Sequence, residues 1–244
     1  MSARFQPVTV EDLVVAVRRQ QSGWSPLAWL SPQSPSDSLN LTVDGAHPGA
    51  GASTVTVALA DVLGSREEVT LIDLAIEGEI GAASEAIEVR ADLGMRGYVG
   101  GRRGTARIVQ PVESDTGSPE HEGAVIVDAA GGGLGLDIDV LVCRATVPSV
   151  RKAESALERA NALVVAVVGA SKWPSPVRNS LGPAMRAAWA VGGVVFFPHE
   201  STLEVNGLTA ERLPGTTLRA ASRLLDFVEH PQASDNLDEN GGIS

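Results

Sequence analysis

Residues 39–229 predict a doubly wound α/β domain: a mainly parallel sheet of about seven strands with helices on both faces. Two observations carry this prediction. Short runs of Val, Ile and Leu recur without polar alternation, as in "AVIVD" at 124–128 and "LVVAVV" at 163–168. A strand that is apolar on both sides is buried on both, the mark of a parallel sheet under helices. Helical segments separate these runs, and that alternation defines the α/β class. Hydrophobic residues make up 43% of the chain but aromatics only 4%, so the core has to be built from aliphatic side chains.

In chain order, the expected strands are "LNLTVD", "VTLIDL", "ARIV", "AVIVD", "DVLVC", "ALVVAVV" and "GVVFF". Helices are expected over Ser53–Leu63, Ile80–Arg90, Ser149–Ala160, Pro176–Ala190 and Thr216–Val228. Residues 1–38 stand apart. "TVEDLVVAVRRQQ" would form a short amphipathic helix capped by Thr9, followed by a Ser/Pro-rich arm carrying Trp24 and Trp29. Exposed tryptophans serve as interface anchors, so this arm is one candidate contact for a protein partner. Residues 230–244 hold acidic residues, no Lys or Arg, and no apolar periodicity, the composition of a disordered tail.

The stretch with chemistry is "DGAHPGAGAST" at 44–54. A strand feeds it, a helical segment follows, and Gly45, Gly49 and Gly51 give the backbone freedom to turn its N–H groups onto an anion. In the pattern G-x-x-x-x-G-K-[ST], Ser53 falls where a hydroxyl meets Mg²⁺. Ala52 falls where lysine belongs. The rival reading is a dinucleotide-binding turn, with Gly49 and Gly51 as its glycines and Asp73 on a ribose. That fingerprint starts immediately after its strand, whereas Gly45-Ala46-His47-Pro48 form the longer arch of a phosphate loop.

With these residues the chain resembles the ParA/MinD-type ATPases, whose deviant Walker A loop reads K-G-G-x-G-K-[ST]-T. Over "HPGAGAST", Gly49, Gly51, Ser53 and Thr54 match, with Ala50 at the free position, while His47 and Ala52 replace both lysines. "LIDLAIEG" is similar to the family's second-strand motif and keeps Asp73, but has Ala75 in place of its second aspartate. "VIVDAA" resembles the Walker B strand, which makes Asp128 the expected partner of Mg²⁺ beside Ser53. Val167–Ala170 and Phe197–Glu200 fall where the family's base-binding turns lie.

The resemblance implies ATP or ADP with Mg²⁺ as the cofactor and a homodimer bridged by the first lysine. It also implies work in partition, division-site placement, or pilus and secretion machines. The departures imply a pseudo-ATPase acting as an adaptor. A charge-assisted hydrogen bond contributes roughly 1.5–3 kcal/mol, and here two cations and one carboxylate are replaced. The alternative is a weak Mg-dependent ATPase in which an arginine of the Gly-rich 96–107 stretch supplies the charge; that stretch is also a second candidate partner contact.

The remaining features set bounds. A net charge of −11 disfavours nonspecific DNA binding, which needs excess positive charge. No apolar run has membrane-spanning length, and the N-terminus lacks a signal peptide's apolar core, so a cytoplasmic protein is expected. His47, His121, His199 and His230 have no metal-ligand spacing. Ser180 in "RNSLG" lacks the hydrolase elbow. Asp137 and Asp139 read as solvated or capping. The last helix reads as packing on the sheet.

Overall fold

The structure is a computed structural model that describes residues 39–74, 80, 86–88, 98–111, 123–129, 137–159 and 162–230. The arm, the tail, Ala75 and the glycine-rich 130–136 stretch lie outside these residues.

Nine strands form one sheet in the order β3-β4-β5-β2-β6-β1-β7-β8-β9. The strands are β1 Asn40–Gly45, β2 Val69–Asp73, β3 Ala86–Glu88, β4 Tyr98–Arg103, β5 Ala106–Pro111, β6 Ala124–Asp128, β7 Val140–Arg144, β8 Val164–Val168 and β9 Val194–Phe197. All seven expected strands are present, and every pair from β5 to β9 is parallel. The apolar runs of β2 and β6 are buried throughout, whereas β9 at the sheet edge is fully buried only at Phe197.

The two additional strands, β3 and β4, are antiparallel and extend one edge. One expectation is corrected here: residues 86–88, assigned to a helix, form β3. The Gly/Arg-rich stretch, where no strand was expected before "ARIV", forms a hairpin with β5. Arg102, Arg103 and Arg107 sit among glycines and apolar residues without clear alternation, so pairing with β5, not side-chain periodicity, defines this strand.

Five of the six described helices fall at expected positions with altered limits, and the short helix at Ser201–Asn206 was not expected. The six are α1 Ala52–Leu63, α2 Val147–Leu157, α3 Ser175–Asn179, α4 Pro183–Ala190, α5 Ser201–Asn206 and α6 Gly215–Glu229. The single helix expected over 176–190 is split, because Pro183 lacks an N–H and restarts a helix at its first turn. Helix α2 begins two residues early because Thr146 caps it, its side chain accepting from Ser149 N–H at 3.4 Å.

One core cluster joins α1 and α6 to the sheet, and a second joins α2, α3 and α4 to it. The two helical layers therefore cover opposite faces. Helix α1 is buried nearly all round, with Val55, Val57, Leu59 and Leu63 inside, because α6 packs over it. Among the described residues, no helix is long and apolar enough to cross a membrane.

Asp139, expected to be solvated or capping, is half-buried and bonds the backbone of β1. Its Oδ2 accepts from Thr42 N–H at 2.7 Å, and its own N–H returns to Thr42 O at 3.0 Å. Burial raises its carboxyl above the ordinary 3.8, the Thr42 bond lowers it, and Asp137 raises it further. The folded value thus exceeds the unfolded one. Protonation favours the folded chain, and that advantage is lost as pH rises through the folded value. Asp139→Asn, which keeps an acceptor for Thr42, is expected to be more stable than wild type at neutral pH. Its gain should vanish as pH falls below about 4; urea unfolding at both pH values tests this, and a gain that grows with acid contradicts it.

Candidate functional site

Strand β1 lies mid-sheet between β6 and β7, so the chain crosses over in opposite directions on its two sides. The crevice at the carboxyl ends of such strands is where α/β sheets hold ligands. The 45–54 segment occupies it. Gly45 closes β1, and Ala46 N–H continues the ladder to Val142 O at 2.8 Å. The arch is then tightened by Ala50 N–H donating to His47 O at 3.1 Å.

Gly51 precedes α1 with φ 100°, and no side chain caps that helix. A Cβ at Gly51 would stand 3.3 Å from both Val168 methyls, so only glycine allows this turn against β8. A Cβ at Gly49, φ 76°, would meet nothing within 4 Å. Ala50 is buried, whereas Ala52, Ser53 and Thr54 are half-buried in the first turn of α1. The first N–H groups of an uncapped helix are unsatisfied donors carrying positive partial charge. The backbone therefore fits a phosphate group.

Asp73 and Asp128 face each other in register on adjacent strands, both fully buried. Asp128 also pairs with Val43 of β1. The sheet thus gathers both carboxylates and the loop at the carboxyl ends of its central strands.

The two lysine positions of the loop hold other residues, Ala52 and His47. Ala52 is the first residue of α1 and brings no cation. His47 is engaged at both ring nitrogens: Nδ1 is 2.7 Å from Pro48 O, and Nε2 is 2.7 Å from Ser149 Oγ. Ser149 is buried in the first turn of α2 and also accepts from Arg144 N–H at 2.8 Å. The histidine replacing the first lysine thus fastens the loop to α2.

In the alternative reading an arginine from residues 96–107 supplies the missing charge, and the fold places Arg102, Arg103 and Arg107 away from the loop. Ala106 pairs with Val69, the first residue of β2, so the β4–β5 turn lies at the opposite end of the sheet from the loop. Arg103 is buried there: Nε and Nη2 bind both carboxylate oxygens of Asp61 at 2.7 and 3.0 Å. Nη1 and Nη2 also donate to Thr209 O and Glu211 O at 2.7 and 2.6 Å. Arg96 lies outside the described residues.

A cavity of about 210 Å³ adjoins the loop, lined by Gly51, Thr54, Arg144, Gly169, Phe197 and Glu200 among others. It brings together the Val167–Ala170 and Phe197–Glu200 turns picked out in the sequence. Arg144 was missed. It ends the apolar strand "VLVCR", and a charge terminating a buried strand at the loop end of the sheet was the available signal. Cys143 beside it is fully buried, its thiol pushed up to about 12 by burial, as a small core residue would be. Among the described residues, no cluster of His, Cys, Asp and Glu could hold a metal ion.

No protein-family model and no curated protein matches the chain. Solved structures do. A putative plasmid partition protein from Borrelia burgdorferi, bound to AMPPNP, superposes with TM-score 0.53 at 10% identity, covering 80% of this chain and 100% of that one. A ParA family ATPase from Chlorobium tepidum gives 0.52 at 12% identity over 80% and 98%. The MinD cell division protein of Aquifex aeolicus gives 0.51 at 17% over 77% and 97%. The chain has the fold of the MinD/ParA-type P-loop ATPases.

Proposed function

We propose that this chain is a ParA/MinD-like pseudo-ATPase that serves as a positioning or regulatory adaptor for a larger assembly, without hydrolysing nucleotide. One observation carries the reading: the loop keeps the phosphate-binding shape, while its two lysine positions hold an alanine and a histidine tied to Ser149. The cavity supports it, since about 210 Å³ is below the roughly 300–1,000 Å³ of ordinary ligand pockets. The neighbours named above include partition and cell-division proteins, the kind of assembly an adaptor of this fold would join.

A second reading is favoured by Arg144, a cation lining the cavity with Gly51 and Thr54. In this reading the chain binds Mg-nucleotide weakly, with Ser53 and Asp128 toward the metal and Arg144 toward the phosphates. Thermal unfolding with about 1 mM ATP, ADP or NAD, with and without Mg²⁺, separates the two. A ligand bound only by the folded chain raises the midpoint by mass action. The adaptor reading expects a shift below about 1 °C and no phosphate release. A Mg-dependent ATP shift abolished by Arg144→Ala and by Asp128→Ala would overturn it for the second reading, and a metal-independent shift with NAD would overturn both.

A further inference from the structure

The layer formed by α2, α3 and α4 carries positive charge on a chain whose net charge is −11. Arg151, Lys152, Arg159, Lys172, Arg178 and Arg186 are all exposed, and none of them forms an ion pair among the described residues. Residues 147–190 contain two carboxylates, Glu154 and Glu158. Glu154 is occupied inside the layer, where Ala184 N–H donates to Oε1 at 2.6 Å and Met185 N–H to Oε2 at 3.0 Å. Exposed Glu158 is then the one carboxylate of these residues left to balance six cations.

The last described helix ends next to this layer, and acidic residues follow it in the sequence. Helix α6 runs on the opposite face but ends beside α4, at the β9 edge. Gly193 N–H donates to Ala188 O at 2.8 Å. A Cβ placed on Gly193 would lie 3.1 Å from that oxygen and 3.4 Å from Phe227 Cζ. One glycine thus separates the last turn of α4 from the last turn of α6. Beyond His230 come Asp235, Asp238 and Glu239, with no lysine or arginine to position 244.

At about 3.3 Å per residue, the nine residues from His230 to Glu239 reach roughly 30 Å. That is enough to round the edge and cross α4, a helix about 10 Å wide. We propose that residues 231–244 dock across this basic face, with their carboxylates on Arg159 and Arg186, and so mask it from other acidic ligands. Each exposed ion pair is weak. The tether compensates, because a short flexible linker gives a millimolar effective concentration, and a contact with a millimolar Kd is then substantially formed.

The test uses the full chain with Asn240→Cys carrying a nitroxide; Cys143 is fully buried and stays unlabelled. Amide signals of residues 183–190 should lose about half their intensity or more at about 20 mM salt and recover at about 500 mM, where screening reaches only a few ångströms. Arg159→Glu with Arg186→Glu should abolish the effect at low salt. Unchanged signals at low salt overturn the proposal, as does broadening that survives the charge reversal. A mixture of isotope-labelled, nitroxide-free chains with unlabelled nitroxide chains gives the last control: broadening there assigns the face to a second copy and overturns docking within one molecule.

Discussion

Arg103→Ala is expected to lower the unfolding free energy by about 3–5 kcal/mol, the loss seen when one partner of a buried ion pair is removed. The Arg103 side chain is 2% exposed and that of Asp61 9%. Alanine would leave the Asp61 carboxylate buried without its bidentate partner, and would strip a donor from each of Thr209 O and Glu211 O. The midpoint of a domain this size moves about 2–4 °C per kcal/mol, so a fall of roughly 6–20 °C is expected. Arg103→Met combined with Asp61→Leu should recover much of it, because replacing both partners removes the stranded charge. Urea unfolding of the three proteins tests this; a loss under about 1 kcal/mol for Arg103→Ala would show that water reaches the pair.

Ala52→Lys is expected to tighten ATP binding by about 10–150-fold, the equivalent of one charge-assisted hydrogen bond. The site is prepared for it: Ala52 is the first residue of an uncapped helix behind a left-handed glycine, where anions are favoured. Calorimetric titration of the variant with ATP and Mg²⁺ gives the measurement. If affinity does not change, the missing charge is not what separates this loop from a binding one. Ser149→Ala in the same background then asks whether the His47 bond holds the arch in an unreceptive shape.

The sequence revealed the parallel sheet because its information is local: a buried parallel strand must be apolar on both faces, and most of the seven strand runs show this one by one. Strands β3 and β4 lack that signal. Residues 86–88 lie in "SEAIEVR", whose spacing suits a helix equally well, and β4 reads as glycines and arginines. Their pairing with β5 is a property of the assembled edge.

The candidate site divides similarly. The loop glycines, Asp73 and Asp128 follow from residue type and spacing, and the sheet brings them together through the register of β1, β6 and β2. The His47–Ser149 contact spans 102 positions, and nothing local to either residue announces it. The structural role of Arg103 is hidden for the same reason: its partner Asp61 is 42 positions away, inside the helix the loop begins.

Helix α1 is consequently held like a beam built in at both supports. At one end the loop that launches it is tied to α2 through His47. At the other, Asp61 is clamped by Arg103, and Gly64 O accepts from Thr105 Oγ1. Shifting it along its axis would therefore mean breaking the Arg103–Asp61 pair at one end and straining the His47–Ser149 contact at the other.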